Sequence, residues 1–268
     1  KKKGPQYDSY SKLDGFNRKE YLQLIKLCKK YKIEFMSTPF DEDAVDMLYD
    51  LGVKGYKVAS CDINNYPLLK KIAKKRLPIL LSTGASDVSE IQQSVNFIRR
   101  NGNNKICIMH CTLCYPTKPK DSNLSAIIEL KKKFPNNLIG FSDHTLGINI
   151  SSSSVLFGAR AIEKHFTINK KLKKSADHWL SINPKELKKL KKDVNDLMVS
   201  IGSYKKKVLK CELKTRLLAR RSLVARYNIQ KGEKLTLRNM VSKRPGNGIA
   251  PSKFEKLTGK IVTKDSWC

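Results

Sequence analysis

"GFSDHTLGINISSSSVLFGARAIEKHFT", residues 140–167, is the stretch whose reading decides the fold. An apolar run ends in Asp143 and His144, a short helical stretch follows, and a second apolar run ends in Glu163 and His165. Two β-rich runs joined by a helix make one β-α-β step, with polar chemistry at the C-terminal end of each run. Glu163 and His165 stand two apart on a strand, so both side chains face one way.

The same unit recurs upstream. "IEFMSTP" from Ile33, "GYKVAS" from Gly55, "PILLSTG" from Pro78, "ICIMHCT" from Ile106 and "LIGFSDHT" from Leu138 precede "AIEKHFT" from Ala161. These runs are apolar on both alternating faces, as buried parallel strands are. Between them, "DEDAVDMLYDLG" and "VSEIQQSVNFIRRNG" carry the apolar spacing of helices and stop at Gly52 and Gly102. "RKEYLQLIKLCKKY" is helical before the first run. The alternation predicts an α/β fold with parallel strands. Each run places its polar residues near its C-terminal end, the asymmetry of a (β/α)8 TIM-type barrel with its site at the C-terminal rim. A doubly wound sheet usually carries a Gly-rich phosphate loop, and none is present. Six runs against the eight of a full barrel place two strands upstream of Lys1, which makes the chain N-terminally truncated on this reading. A long helix from Pro184 to about Ser203, opened by Asn183, Pro184 and Glu186 in a capping-box pattern, closes the barrel.

The expected organisation is a partial barrel over 1–205, a basic linker over 206–220 and a small, mostly β domain over 221–268. In that last segment short β runs surround a turn at Lys231–Gly232 and a Pro/Gly-rich loop.

Composition limits the function classes. The 268 residues carry 54 Lys and Arg against 24 Asp and Glu, a net charge of +30. Such a charge can mark a nucleic-acid binder. Here the lysines are scattered over helix faces ("LKKIAKK", "ELKKLKKDV") without a zinc-finger, RNP or helix-turn-helix pattern, so no nucleic-acid partner is expected. No apolar run reaches membrane-spanning length and "KKKGPQYDSY" has no apolar stretch behind its lysines, so a soluble cytoplasmic protein without a membrane partner is expected. Seven cysteines without a signal peptide argue against a disulfide framework. Cys111-x-x-Cys114 has zinc or redox spacing, but no second pair matches it and Pro116 follows too soon for a redox helix.

The strand ends suggest chemistry. One histidine at a strand end commonly satisfies only a backbone hydrogen bond. Two at successive ends of one rim point toward one centre, and neutral imidazoles suit a divalent ion such as Mn2+ or Zn2+. Two protein ligands leave positions open for water or substrate. Asp143 and Glu163 are candidates to ligate, to orient a histidine or to move a proton. Thr38, Lys57, Ser60, Ser82, Thr83 and Ser142 form a ring of donors that suits a phosphate ester or carboxylate. Lys57 lies inside an apolar run, where an unpaired charge is costly, so an anionic partner is expected for it.

Taken in order, "STPFD" (37–41), "YKVAS" (56–60), "PILLSTG" (78–84), "MHCTLCYPT" (109–117), "GFSDHT" (140–145), "EKHFT" (163–167) and "DHWLS" (177–181) resemble the sialic acid synthase family, which includes N-acetylneuraminate, legionaminate and pseudaminate synthases. "KGEKLT" and "KRPGNGI" resemble its antifreeze-like SAF domain. The resemblance implies condensation of phosphoenolpyruvate with an N-acylmannosamine-type sugar to a nine-carbon 2-keto acid, with release of phosphate, by a domain-swapped homodimer. It implies that His144 and His165 hold a divalent metal, Mn2+ first, with Mg2+ or Co2+ as alternatives. It assigns Thr38, Lys57, Ser60 and Ser142 to phosphoenolpyruvate, Glu163 and Asp62 to proton handling or orientation, Tyr115 and Asp177 to the open-chain sugar, and Arg244 of the partner's SAF domain to the N-acyl group. Leu113 departs from the family pattern, which more often has Asn or Ser there. The family's first two strands would lie before Lys1, and "TKDSWC" ends before the SAF domain normally finishes. These departures motivate the alternative of a catalytically impaired fragment or sugar-binding remnant. The identity of the sugar is not legible in the sequence.

Overall fold

Strands rich in Ile, Leu and Val and helices with one apolar face produce two layers here. The computed structural model describes residues 16–172 and 177–264. The chain divides into two compact units, Lys1–Gly202 and Ser203–Cys268. The extreme N-terminal stretch, part of the polar loop before Asp177 and the residues after Lys264 lie outside the described residues.

In the first unit, helices α1 (Arg18–Lys30) and α2 (Glu42–Asp50) precede strand β1 (Tyr56–Val58). Then α3 (Tyr66–Lys74), β2 (Ile79–Ser82), α4 (Val88–Arg100), β3 (Ile106–Cys111), α5 (Ala126–Lys133), β4 (Leu138–Asp143), α6 (Asn149–Ser153), β5 (Ile162–Lys164) and α7 (Pro184–Ser200) follow. The five strands pair in sequence order, all parallel. This is the α/β half-barrel that the alternation predicted.

Local signals set the helix ends. Asp87 with Glu90 and Asn183 with Glu186 form capping boxes at α4 and α7. Gly52 and Gly102, at φ +80° and +90°, end α2 and α4 in the left-handed region. The main core lies between the helices and the outer face of the sheet. It holds Tyr56, Val58, Ile79, Leu81, Ile108 and Phe141 from the strands, against Leu48, Leu69, Ile72, Val95, Ile98 and Ile127 from the helices. Each such side chain contributes about 1.5–3 kcal/mol by leaving water. Tyr56 is wholly buried, and its hydroxyl donates to the Val45 carbonyl at 2.9 Å, tying β1 to α2.

The alternate residues face inward. Register aligns Lys57, Leu80 and Cys107 across β1, β2 and β3, and Cys111, Ser142 and Glu163 across β3, β4 and β5. The sheet must curl, because Lys57 Nζ on β1 lies 3.5 Å from Glu163 Oε2 on β5. In a flat sheet four strand spacings would separate them by about 19 Å, more than the two side chains can span. Gly140 makes room for this interior: a Cβ there would lie 2.9 Å from Met109 Cε, closer still to Met109 Sδ, and 3.0 Å from the Ala161 carbonyl oxygen.

One expectation fails. "IEFMSTP" is not a strand; it makes a single parallel bridge, Ser37 to Tyr56. Ile33 and Met36 are exposed, and among the described residues no strand flanks this run on its other side, so only the rung next to β1 forms. At the opposite edge a bridge the sequence did not reveal, Phe166 to Ile182, extends the sheet beyond β5.

The second unit has helix α8 (Leu213–Ala219), an antiparallel pair of β6 (Ser222–Ala225) and β7 (Met240–Lys243), and α9 (Phe254–Leu257). Lys231–Gly232 is a turn with Gly232 at φ +93°.

Candidate active site

The pleat sorts the residues at the ends of β4 and β5 into two groups. Ser142, His144, Glu163 and His165 face the interior, whereas Asp143 and Lys164 face outward. Asp143 is fully buried there and accepts hydrogen bonds from Thr145 N (2.8 Å), Thr145 Oγ1 (3.1 Å), Ser151 Oγ and Lys164 Nζ (2.8 Å). Asp143 therefore drops out as a metal ligand or proton carrier, because its oxygens are committed on the wrong face.

His144 Nδ1 lies 2.9 Å from the Thr112 carbonyl. That contact assigns the proton to Nδ1 and leaves Nε2 with a free lone pair. Burial holds His144 below the ordinary imidazole value, and nearby His165 acts in the same direction, so the ring is neutral near pH 7. His165 Nδ1 lies 3.6 Å from Asp177 Oδ2. The two imidazole centroids are 5.3 Å apart, and Tyr115 packs against both, 4.1 Å from His144 and 5.6 Å from His165. A neutral ring with Nδ1 engaged by an oxygen acceptor, as in His144, is what a divalent ion accepts as a ligand. The donor set fits such an ion with two imidazoles. Among the described residues no group of three or more His, Cys, Asp or Glu could hold one, so the remaining positions would fall to water or substrate.

Beside the imidazoles lies the anion ring. Lys57 is nearly buried and meets Glu163, so its expected anionic partner comes from the chain itself. Ser60 Oγ accepts from Gly84 N at 2.9 Å and lies 3.8 Å from Cys111 Sγ. Thr38 directly follows Ser37, whose carbonyl accepts from Lys57 N at 3.3 Å. Ser142 pairs in register with Cys111 and Glu163. Thr83 leaves the ring, because its hydroxyl donates to the Met109 carbonyl at 2.9 Å. Two buried side-chain polar atoms lack a hydrogen-bond partner among the described residues, Ser82 Oγ and Glu163 Oε2, and both lie on the inner face. Buried polar atoms rarely lack a hydrogen bond, so Ser82 Oγ and, beside its ion contact with Lys57, Glu163 Oε2 have bonding capacity left for a ligand.

Asp62 lies in the turn after β1, where its carboxylate accepts from Asn65 Nδ2 at 3.0 Å and from Cys61 Sγ at 3.5 Å. Arg244 belongs to the second unit, where its Nε donates to the Ala219 carbonyl at 2.9 Å. Leu113 is exposed on the rim, and its Cβ lies 3.2 Å from where a side chain on Gly84 would begin. Within the cysteine cluster His110 Nε2 meets the Ser122 carbonyl at 2.9 Å on the outer side, away from the inward Cys111, and Cys114 is exposed. Cys111 also faces the interior beside His144, which its CxxC spacing does not reveal. Its thiol, raised by burial, sits 4.0 Å from His144 Nδ1. The inward strand position, set by register with Ser142, was the signal that could have found it.

The NeuB family model matches residues 1–206 and the SAF domain model matches residues 220–265. The chain belongs to the NeuB family. It is 43% identical to the N,N'-diacetyllegionaminic acid synthase of Campylobacter jejuni, over 92% of this chain and 74% of that protein. It is 35% identical to the N-acetylneuraminate-9-phosphate synthase of Drosophila melanogaster, over 96% of this chain and 75% of that protein. Among solved structures, the sialic acid synthetase of Leptospira borgpetersenii in complex with citrate superposes with a TM-score of 0.70 at 38% identity, over 75% of this chain and 69% of that one. This NeuB-family chain is thus an enzyme of the sialic acid synthase type, a transferase that forms carbon–carbon bonds. No helix among its described residues is long and apolar enough to cross a membrane.

Proposed function

We propose that this NeuB-family chain condenses phosphoenolpyruvate with an N-acylmannosamine-type sugar aldehyde, giving a nine-carbon 2-keto acid and phosphate. The observation that carries this reading is the pair of orphaned buried polar atoms, Ser82 Oγ and Glu163 Oε2, on the same interior face as Lys57 and the two imidazoles. A site with a nearly buried cation, an unsatisfied hydroxyl and a carboxylate that meets only that cation suits an anionic substrate beside a group that exchanges protons.

Lys57, with Thr38, Ser60, Ser82 and Ser142, binds the phosphate and carboxylate of phosphoenolpyruvate. C3 of phosphoenolpyruvate forms the new bond to the aldehyde carbon, water adds at C2, and phosphate leaves. Glu163 takes and returns protons near these carbons, with Asp62 as a second carboxylate at the rim. Tyr115 walls the sugar and Asp177 both orients His165 and meets the sugar hydroxyls. Arg244 of a partner copy reaches the N-acyl group in a domain-swapped homodimer. A divalent ion held by His144 and His165, Mn2+ or else Mg2+ or Co2+, would supply polarisation of the aldehyde oxygen and a fixed position for the water. The relatives named as sialic and legionaminic acid synthases support the sugar class.

The test is phosphate release. Turnover is expected only when phosphoenolpyruvate, an amino-sugar aldehyde and a divalent ion are all present, and His144→Ala or His165→Ala abolishes it. Unchanged metal-dependent turnover in both variants overturns the metal assignment. Exposed Leu113 favours one second reading, a sugar-binding remnant without turnover. Sugar binding without phosphate release would establish it.

A further inference from the structure

Asp143 and Lys164 occupy the last rung of the ladder between β4 and β5. Lys164 Nζ lies 2.8 Å from Asp143 Oδ2, and the two side chains are 5% and 0% exposed. Lys164 Nζ also donates to the Thr145 carbonyl at 2.5 Å, while Asp143 accepts from Thr145 N and Oγ1 and from Ser151 Oγ. Both chain neighbours of His144 are therefore fixed to this cluster, and so is the residue before His165. Beyond the rung the β4–β5 ladder ends, and His144 and His165 are the first residues past it. The side-chain pair is the last cross-strand tie before the two imidazoles.

We propose that Asp143 and Lys164 are positioning residues: a clamp behind the site that sets the separation and aim of His144 and His165. The clamp touches neither ion nor substrate, yet divalent-ion affinity depends on it. This rests on the reading of the two histidines as metal ligands. A purely structural pair would behave differently. Replacing both partners of a buried ion pair by neutral groups of similar volume commonly leaves stability little changed, so a neutral double variant separates positioning from folding.

The probe is Mn2+ alone, titrated into the full chain without substrates and followed by the magnetic resonance signal of the free ion. Asp143→Asn combined with Lys164→Met removes both charges and strands neither. Its thermal midpoint is expected to stay near that of the parent, while its Kd for Mn2+ rises about 10–100-fold, as for other lost outer partners of metal ligands. Ser151→Ala removes one hydrogen bond to Asp143 while keeping both charges of the ion pair, and it is expected to weaken Mn2+ about tenfold, at the low end of that range. His144→Ala with His165→Ala abolishes binding. If the double variant unfolds, Ser151→Ala decides. A folded clamp variant that binds Mn2+ as the parent does, while the histidine variant does not, overturns the clamp. Binding retained by the histidine variant overturns the metal reading, and the clamp with it.

Discussion

Lys57 and Glu163 show how one contact can serve two roles. The pair is an ion contact at 3.5 Å rather than a hydrogen bond, since Glu163 Oε2 makes none. On the proposed reaction, Lys57→Met deletes a charge-assisted contact to the anionic substrate, worth about 1.5–3 kcal/mol. The expected outcome is a KM for phosphoenolpyruvate raised about 10–100-fold, read from initial-rate kinetics. A second prediction concerns the thiols. Burial pushes the Cys107 thiol up to about 11, so it remains neutral and unreactive at pH 8. Iodoacetamide at that pH is expected to modify the exposed Cys114 and Cys211 and to spare Cys107 until the chain is unfolded, as mass spectrometry of the peptides would show. The residue scale is also where sequence reading meets its limit. His144, Glu163 and His165 were legible as strand-end chemistry. Asp143 could not be separated from His144, because adjacent residues differ only in which face of the pleat they take. Register decides that, and register is a tertiary fact.

Helix α7 illustrates what was legible at the scale of elements. Its start was marked by Asn183, Pro184 and Glu186, and the capping box forms with Asn183 Oδ1 accepting from Glu186 N at 3.0 Å. Asn183→Ala is expected to cost about 1 kcal/mol, a fall of a few degrees in Tm by calorimetry. Leu69, wholly buried on α3, is expected to cost about 2–5 kcal/mol as Leu69→Ala in urea unfolding. Helices could be read because period and caps are local properties. The two edges of the sheet could not. "IEFMSTP" has strand composition but pairs on one side only, and the Ile182 bridge is one residue long, too short to leave a periodic trace.

At the scale of the molecule, the net charge of +30 matters through its distribution. Lysines along helices such as α3 and α7 give a positive field that attracts small anions. Raising ionic strength from low to physiological is expected to lower kcat/KM for phosphoenolpyruvate several-fold with kcat unchanged, and salt-titrated kinetics would check this. The chain divides into two units near Gly202, and in the same region the composition changes from strand-and-helix alternation to short β runs with Pro and Gly.

Gly140 and Met109 carry one more consequence, for the order in which this interior can change over time. Met109 is fully buried, so its thioether end can make way for a methyl group at position 140 only by displacing its own neighbours. Gly140→Ala is costly as a first step and costs less after Met109 has become smaller, when the Ala161 carbonyl oxygen at 3.0 Å is the tight neighbour left. Met109→Ala, by contrast, leaves a void that the glycine tolerates. Of the two routes to the double change the one through Met109 is the easier, and chains that have drifted apart at these positions are expected to show the pair substituted together.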